Sequence, residues 1–132
     1  FRMRPAADVA RDKPELAALI RQHAVNNEIM LTLANNIMIC KNTTVCWWNG
    51  GNILESFITI LKHNNITNHL IGVMDDETEA YLKGRAGVNW FRVRIEIPVS
   101  QDKTHPANKV STIKYTLLKD FIQLGVHTLI TD

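Results

Sequence analysis

The run Glu28-Ile29-Met30-Leu31-Thr32-Leu33-Ala34, closed by Asn35-Asn36, is the stretch on which the fold turns. It is short, almost continuously apolar and without strict alternation, the pattern of a strand covered on both faces, as in a parallel sheet between layers of helix. Two further runs repeat it. His69 to Met74 ends at Asp75-Asp76, and Val126 to Thr131 ends at Asp132. Val88 to Ile97 alternates enough to be another strand, finishing at Pro98.

Between these runs the apolar residues recur at helical spacing. Leu16, Leu19 and Ile20 follow a helix start made by Asp12, Pro14 and Glu15, and the pattern fades near Gln22 or His23. Ile53, Leu54, Phe57, Ile58, Ile60 and Leu61 mark an amphipathic helix that Asn52 caps and Asn64 ends. Glu77 to Lys83 reads as a short helix stopped at Gly84. Ile113, Leu117, Leu118, Phe121, Ile122 and Leu124 place a helix over Val110 to Leu124, with Gly125 as its cap. Alternation of strand and helix predicts an α/β fold with a mostly parallel sheet and helices on both faces. Ligands in such folds bind beyond the carboxyl ends of the strands, which directs attention to Ala34 to Asn36, Asp75, Asp76 and Asp132.

Some segments fall outside this rhythm. The first dozen residues show no period and read as an arm, so the expected division is an arm or stem with a short helix over residues 1–23 and one domain over 24–132. Ile37, Met38 and Ile39 extend the first strand or form a second short one, Cys40 to Gly51 has turn chemistry, and Ser100 to Asn108 is a polar loop.

Composition fits one domain. The chain has 132 residues, 45% of them apolar and 21% charged. A chain of this size buries about two thirds of its unfolded surface, enough for a core. Six Gly and four Pro exclude a collagen-like or low-complexity chain. No run approaches the roughly 18 apolar residues of a membrane span, and no signal peptide opens the chain. Fifteen Lys and Arg against 13 Asp and Glu leave +2, without the basic clustering that nucleic-acid binding needs, so no nucleic-acid partner is expected. A start at Phe1 and an end at Asp132, directly after a strand, read as a piece of something longer.

Several residues invite chemistry. Asp75 and Asp76 sit where a carboxylate accepts from a ribose or a uracil N–H or meets a cation, and one of them equally suits the cap of the helix that follows. Asp132 stands in the same relation to its strand. Cys40 and Cys46 bracket the sequon Asn42-Thr43-Thr44, and a second sequon, Asn65-Ile66-Thr67, falls between a helix and a strand. Together they point to glycosylation at Asn42 and Asn65, a possible Cys40–Cys46 disulfide and a secretory lumen. Trp47 and Trp48 are read as cover for the core in preference to a sugar platform. His23, His63, His69, His105 and His127 lack ligand spacing and are read as surface or capping residues. Lys109 and Lys114 stand near the start of the helix after the polar loop, where a cation meets a diphosphate entering the crevice.

The segments Ala24 to Asn35, Gly72 to Asp76 and Ser111 to Asp132 resemble the plant and algal nucleotide-diphospho-sugar transferases. Within them the similarity is to glycosyltransferase family 77, arabinosyltransferases acting on hydroxyproline-rich cell-wall proteins, and it runs over residues 24 to 132. The resemblance implies a GT-A fold, incomplete in this chain, and a type II membrane protein of the Golgi whose anchor lies upstream of Phe1. It also implies a UDP-sugar donor, a glycoprotein or glycan acceptor, and a divalent cation, Mn2+. Matched position by position, Asp132 falls on the first Asp of the family's Asp-x-Asp metal motif. Ala34 and Asn35 fall on the strand end lining the nucleotide pocket, Asp75 and Asp76 on the acidic pair, and Lys114 on a lysine of the helix before the motif. Residues 36–51 are longer than the family's usual link.

The expectation is therefore the nucleotide-binding half of an arabinose-transferring enzyme, without turnover by itself. Two other classes stay open from the residues alone: a doubly wound phosphoryl-transfer domain using a strand-end Asp, and a non-catalytic scaffold that binds a sugar nucleotide.

Overall fold

Continuous apolar character puts β1, Glu28–Ala34, at the centre of the sheet. β1 pairs in parallel with β2, His69–Val73, on one side and with β4, His127–Thr131, on the other. β2 pairs in parallel with β3, Trp90–Arg92. The order is β3-β2-β1-β4, an all-parallel sheet of the doubly wound kind, as the sequence predicts. The computed structural model describes residues 2–39, 52–94 and 106–131, with backbone alone for 106–109.

Register sorts the strand residues into two cores. Leu31 lies beside Leu70 and Leu33 beside Gly72. With Ile29 they pack on Ile20 of α2, Pro14–His23, and on Ile113, Leu117 and Phe121 of α5, Pro106–Gln123. On the other face Ala34, Ile71 and Val73 meet Leu54 and Ile58 of α3, Ile53–His63, and Leu82 of α4, Asp76–Leu82. Fully burying a Leu or Ile contributes roughly 1.5–3 kcal/mol, against at most about 1 kcal/mol for an exposed ion pair. Leu31, Leu54, Leu70 and Ile71, all at 0% exposure, therefore outweigh the surface charge pairs in holding the layers together. The first core closes tightly because Gly72 has no side chain: a Cβ there would lie 2.5 Å from Leu33 Cδ2 and 3.0 Å from Val93 Cγ2.

Helix boundaries follow local chemistry. Asn52 Oδ1 accepts from the Glu55 N–H at 2.9 Å, the expected cap of α3, and Asn64 ends that helix. Gly84 and Gly125 follow α4 and α5 with φ of +81° and +90°, left-handed backbone that favours glycine after a helix.

Four expectations about the elements are corrected. The first dozen residues are not an aperiodic arm: Ala6–Asp12 forms α1, which packs on α2 and α5 with Val9 buried. Asp12 does not start α2, because it is the last residue of α1 and its carboxylate is taken by Arg4; Lys13 is the cap residue and Pro14 the first helical one. Residues 37–39 add no strand. Asn35 turns the chain by accepting from the Ile37 N–H on Oδ1 at 3.2 Å and from the Met38 N–H on its carbonyl at 3.1 Å, and Asn36–Ile39 is a 3-10 helix. The polar loop is shorter than read, since Pro106 opens α5 in the position that suits proline.

His69 is also not a surface residue but is buried in β2. The readings that rest on Cys40, Asn42, Cys46, Trp47, Trp48, residues 95–105 and Asp132 lie outside the described residues, as does the Lys109 side chain.

Candidate functional site

The strand order reverses at β1. The chain runs outward from β1 through β2 to β3, then returns by α5 to β4 on the other flank of β1. α3 leaves β1 on one face of the sheet, and α5 enters β4 on the other. Connections diverging in this way open a crevice at the carboxyl ends of β1 and β4, the place where doubly wound sheets take ligands.

A cleft of about 280 Å³ occupies that position. Leu33 and Asn35 line it from β1, Thr131 from β4, Met74 from the end of β2, Ile37 and Met38 from the 3-10 helix, and Val110 and Lys114 from α5. Its floor is apolar, with an amide and an amine at its walls. Among the described residues the buried Thr131 Oγ1 meets no hydrogen-bond partner, a condition that buried hydroxyls rarely keep. A larger hollow of about 470 Å³ lies at the opposite end of the sheet, walled by Ala6, Ala7, Ala10 and Ala17 with Arg21 and Asn27. Position at the switch point, and the convergence of Asn35, Lys114 and Thr131, make the smaller cleft the candidate.

Asn35 and Lys114 are thus brought together. Ala34 is one residue from the cleft but points into the core on the other face, among Ile71, Val73 and Leu54. Asp75 has both carboxylate oxygens engaged: Oδ1 accepts from the Thr78 N–H at 2.8 Å, capping α4, and Oδ2 accepts from the Asn36 N–H at 2.7 Å. Burial opposes its charge, but the hydrogen bonds from Thr78 and Asn36, with the nearby Arg92, hold the carboxyl below its ordinary range. Asp76 is exposed and pairs with Arg92 Nη1 at 2.7 Å.

Sequence reading missed Leu33, Ile37, Met38, Met74, Val110 and Thr131 as cleft residues. Each is an ordinary strand-end or helix residue, and only strand order reveals that they meet. It also missed the clasp between α3 and α4. Asn52 Nδ2 donates to Tyr81 Oη at 3.0 Å, the Tyr81 hydroxyl donates to Glu55, and Arg85 Nη1 donates to the same Glu55 oxygen at 2.6 Å. The Arg85 guanidinium lies 4.5 Å over the Tyr81 ring. These bonds, the tyrosine's first, hold the Glu55 carboxyl below its ordinary range.

Among the described residues no three or more His, Cys, Asp or Glu side chains gather where they could hold a metal ion. Asp75 accepts backbone N–H groups on both oxygens and Asp76 pairs with Arg92, so this pair does not by itself fit a divalent cation. No described helix is long and apolar enough to cross a membrane.

No family model matches the chain, and no solved structure matches it. Two curated proteins of Arabidopsis thaliana do. The chain is 31% identical to Arabinosyltransferase RRA1 over 119 residues, 90% of this chain and 27% of that protein. It is 31% identical to Arabinosyltransferase RRA2 over 119 residues, 90% of this chain and 25% of that one. The chain therefore spans about a quarter of the length of the curated relatives it matches. By sequence, then, it is similar along nine-tenths of its own length to arabinosyltransferase-like glycosyltransferases.

Proposed function

We propose that this chain is the nucleotide-sugar-binding part of a glycosyltransferase of family 77. It would move arabinose from a uridine-diphosphate donor to a hydroxyproline-rich protein or cell-wall glycan in the Golgi lumen. The observation that carries the reading is the 31% identity to RRA1 over 119 residues, nine-tenths of this chain. In this proposal Leu33, Met38 and Met74 form the apolar seat for the nucleobase, and the Asn35 carboxamide and Lys114 ammonium hold the anionic diphosphate. A cation placed in advance where the departing diphosphate gathers charge lowers the barrier without solvent having to reorganise. Asp132 is the proposed metal ligand, and a bound Mn2+ would act as a Lewis acid on the leaving group.

The phosphoryl-transfer reading needs a strand-end carboxylate with an oxygen to spare. Asp75 instead has a structural use, capping α4 with one oxygen and holding the Asn36 N–H with the other, and Asp132 lies outside the described residues.

Titration calorimetry with UDP, in the presence and absence of Mn2+, tests the site. A charge-assisted contact is worth about 1.5–3 kcal/mol, so Lys114→Ala is expected to weaken UDP roughly tenfold or more while leaving the far-UV circular dichroism unchanged. Equal UDP affinity in the two proteins, or no binding by either, would sink the assignment.

A further inference from the structure

The sequon Asn65-Ile66-Thr67 forms the turn that leaves α3 and delivers the chain into β2. The two adjacent asparagines of this turn behave differently. Asn64 Nδ2 folds back and donates to the Ile60 carbonyl at 2.9 Å, which commits its amide to the helix end. Asn65 takes a φ of +53°, a conformation asparagine tolerates better than other side chains, and is exposed.

The turn is fixed through its main chain. The Ile66 N–H donates to the Leu61 carbonyl at 2.9 Å, the Ile66 carbonyl meets His69 Nδ1 at 2.9 Å, and the Thr67 carbonyl accepts from Asn89 Nδ2 at 2.9 Å. Ile66 is half-buried, whereas Asn65 and Thr67 on either side of it are both exposed. The sequon thus presents its acceptor residue and its hydroxyl residue at the surface of a turn held by main-chain hydrogen bonds.

We propose that Asn65 carries an N-linked glycan. In the reaction Asn65 Nδ2 bonds to the anomeric carbon of a lipid-linked oligosaccharyl diphosphate. The anomeric C–O bond breaks, the lipid diphosphate leaves with the electron pair, and one Nδ2 proton passes to a base of the oligosaccharide-transferring enzyme. Transfer takes place on the chain as it enters the secretory lumen, so the folded molecule need only leave room for the product. It does so at the amino end of the sheet, across the molecule from the cleft at the carboxyl ends of β1 and β4. Asn65 itself neither lines the cleft nor takes part in a strand pairing, and the proposal shares with the proposed function the secretory placement but none of its transfer chemistry.

Peptide mapping of the protein isolated from the cells that make it is the direct test. Trypsin releases His63 to Lys83, a peptide with Asn65 as its one sequon. The expected result is a hexose- and N-acetylhexosamine-bearing peptide from which peptide:N-glycosidase removes the glycan, leaving an aspartate in place of the asparagine. An unmodified peptide overturns the proposal. In a eukaryotic secretory host, an Asn42→Gln protein isolates the second sequon. Thr67→Ala in that background is expected to remove the remaining glycosidase-sensitive mass and Thr67→Ser to restore it. Both variants keep the backbone carbonyl that Asn89 uses, and a glycan that persists in the Thr67→Ala protein counts against Asn65.

Discussion

His69 holds its ring between two backbone groups: Nδ1 lies 2.9 Å from the Ile66 carbonyl and Nε2 accepts from the Asn89 N–H at 3.2 Å. The carbonyl can only accept and the amide can only donate, which selects the neutral tautomer with its proton on Nδ1. A proton added at Nε2 would face the Asn89 N–H. Burial lowers the His69 pKa, the bond to Ile66 opposes the shift, and His23, itself lowered by burial, adds slightly to it. In the unfolded chain a histidine takes up its proton near pH ~6.5, and in the folded one only at lower pH. Between those values the unfolded state binds more protons, so this contribution to stability is complete above about pH 6.5 and declines as the pH falls below it. Urea midpoints measured from about pH 7.5 down to 5.5 are expected to fall, and His69→Gln to flatten most of that slope. The residue was hard to place from sequence because a histidine opening an apolar run resembles the polar end of a strand.

Asp75 joins two elements that the sequence separates by most of a βα unit. Through Oδ1 it caps α4, and through Oδ2 it fixes the 3-10 helix after β1, where Asn35, Ile37 and Met38 wall the cleft. Asp75→Ala removes a cap worth about 1 kcal/mol and a charged hydrogen bond worth about 1.5–3 kcal/mol. With allowance for partial solvent replacement, a loss of roughly 2 kcal/mol in urea unfolding is expected, with faster amide exchange at Asn36 to Met38. A stability change below about 0.5 kcal/mol would show that solvent replaces both bonds. At this scale the sequence was informative. The runs at Glu28 and His69, the Asn52 cap and the Gly84 and Gly125 stops were legible because apolar period and cap chemistry are local signals. The 3-10 turn at Asn36 was not, since Ile37-Met38-Ile39 is as apolar as a strand and is bent by the Asn35 side chain and by Asp75, a partner 39 residues away. For the same reason the cleft was half visible. Asn35 and Lys114 stood out as polar groups near strand and helix ends, whereas Thr131 and Met74 needed the strand order.

For the molecule as a whole, the amino-terminal residues are part of the packing. Lys13 Nζ donates to Asp120, a carboxylate only 12% exposed on α5, and the Arg4 N–H donates to Gln123 Oε1 at 3.3 Å. Removing the lysine leaves a largely buried carboxylate, which costs more than losing an exposed pair. Lys13→Ala is expected to destabilise by about 1–2 kcal/mol, discounted for the exposure of the lysine, and Lys13→Ala with Asp120→Asn to recover part of it. A thermal-melt double-mutant cycle with no coupling would show the pair to be idle. α5 carries this clamp at one end and Lys114 about 9 Å nearer its start, at the helix rise of 1.5 Å per residue. The helix therefore acts as a beam whose far bearing is set by α1 and α2. Loosening that bearing by trimming the chain before Pro14 would tilt the beam and carry the cleft's lysine with it, so that a change at the amino terminus is felt in ligand affinity at the opposite end of the sheet.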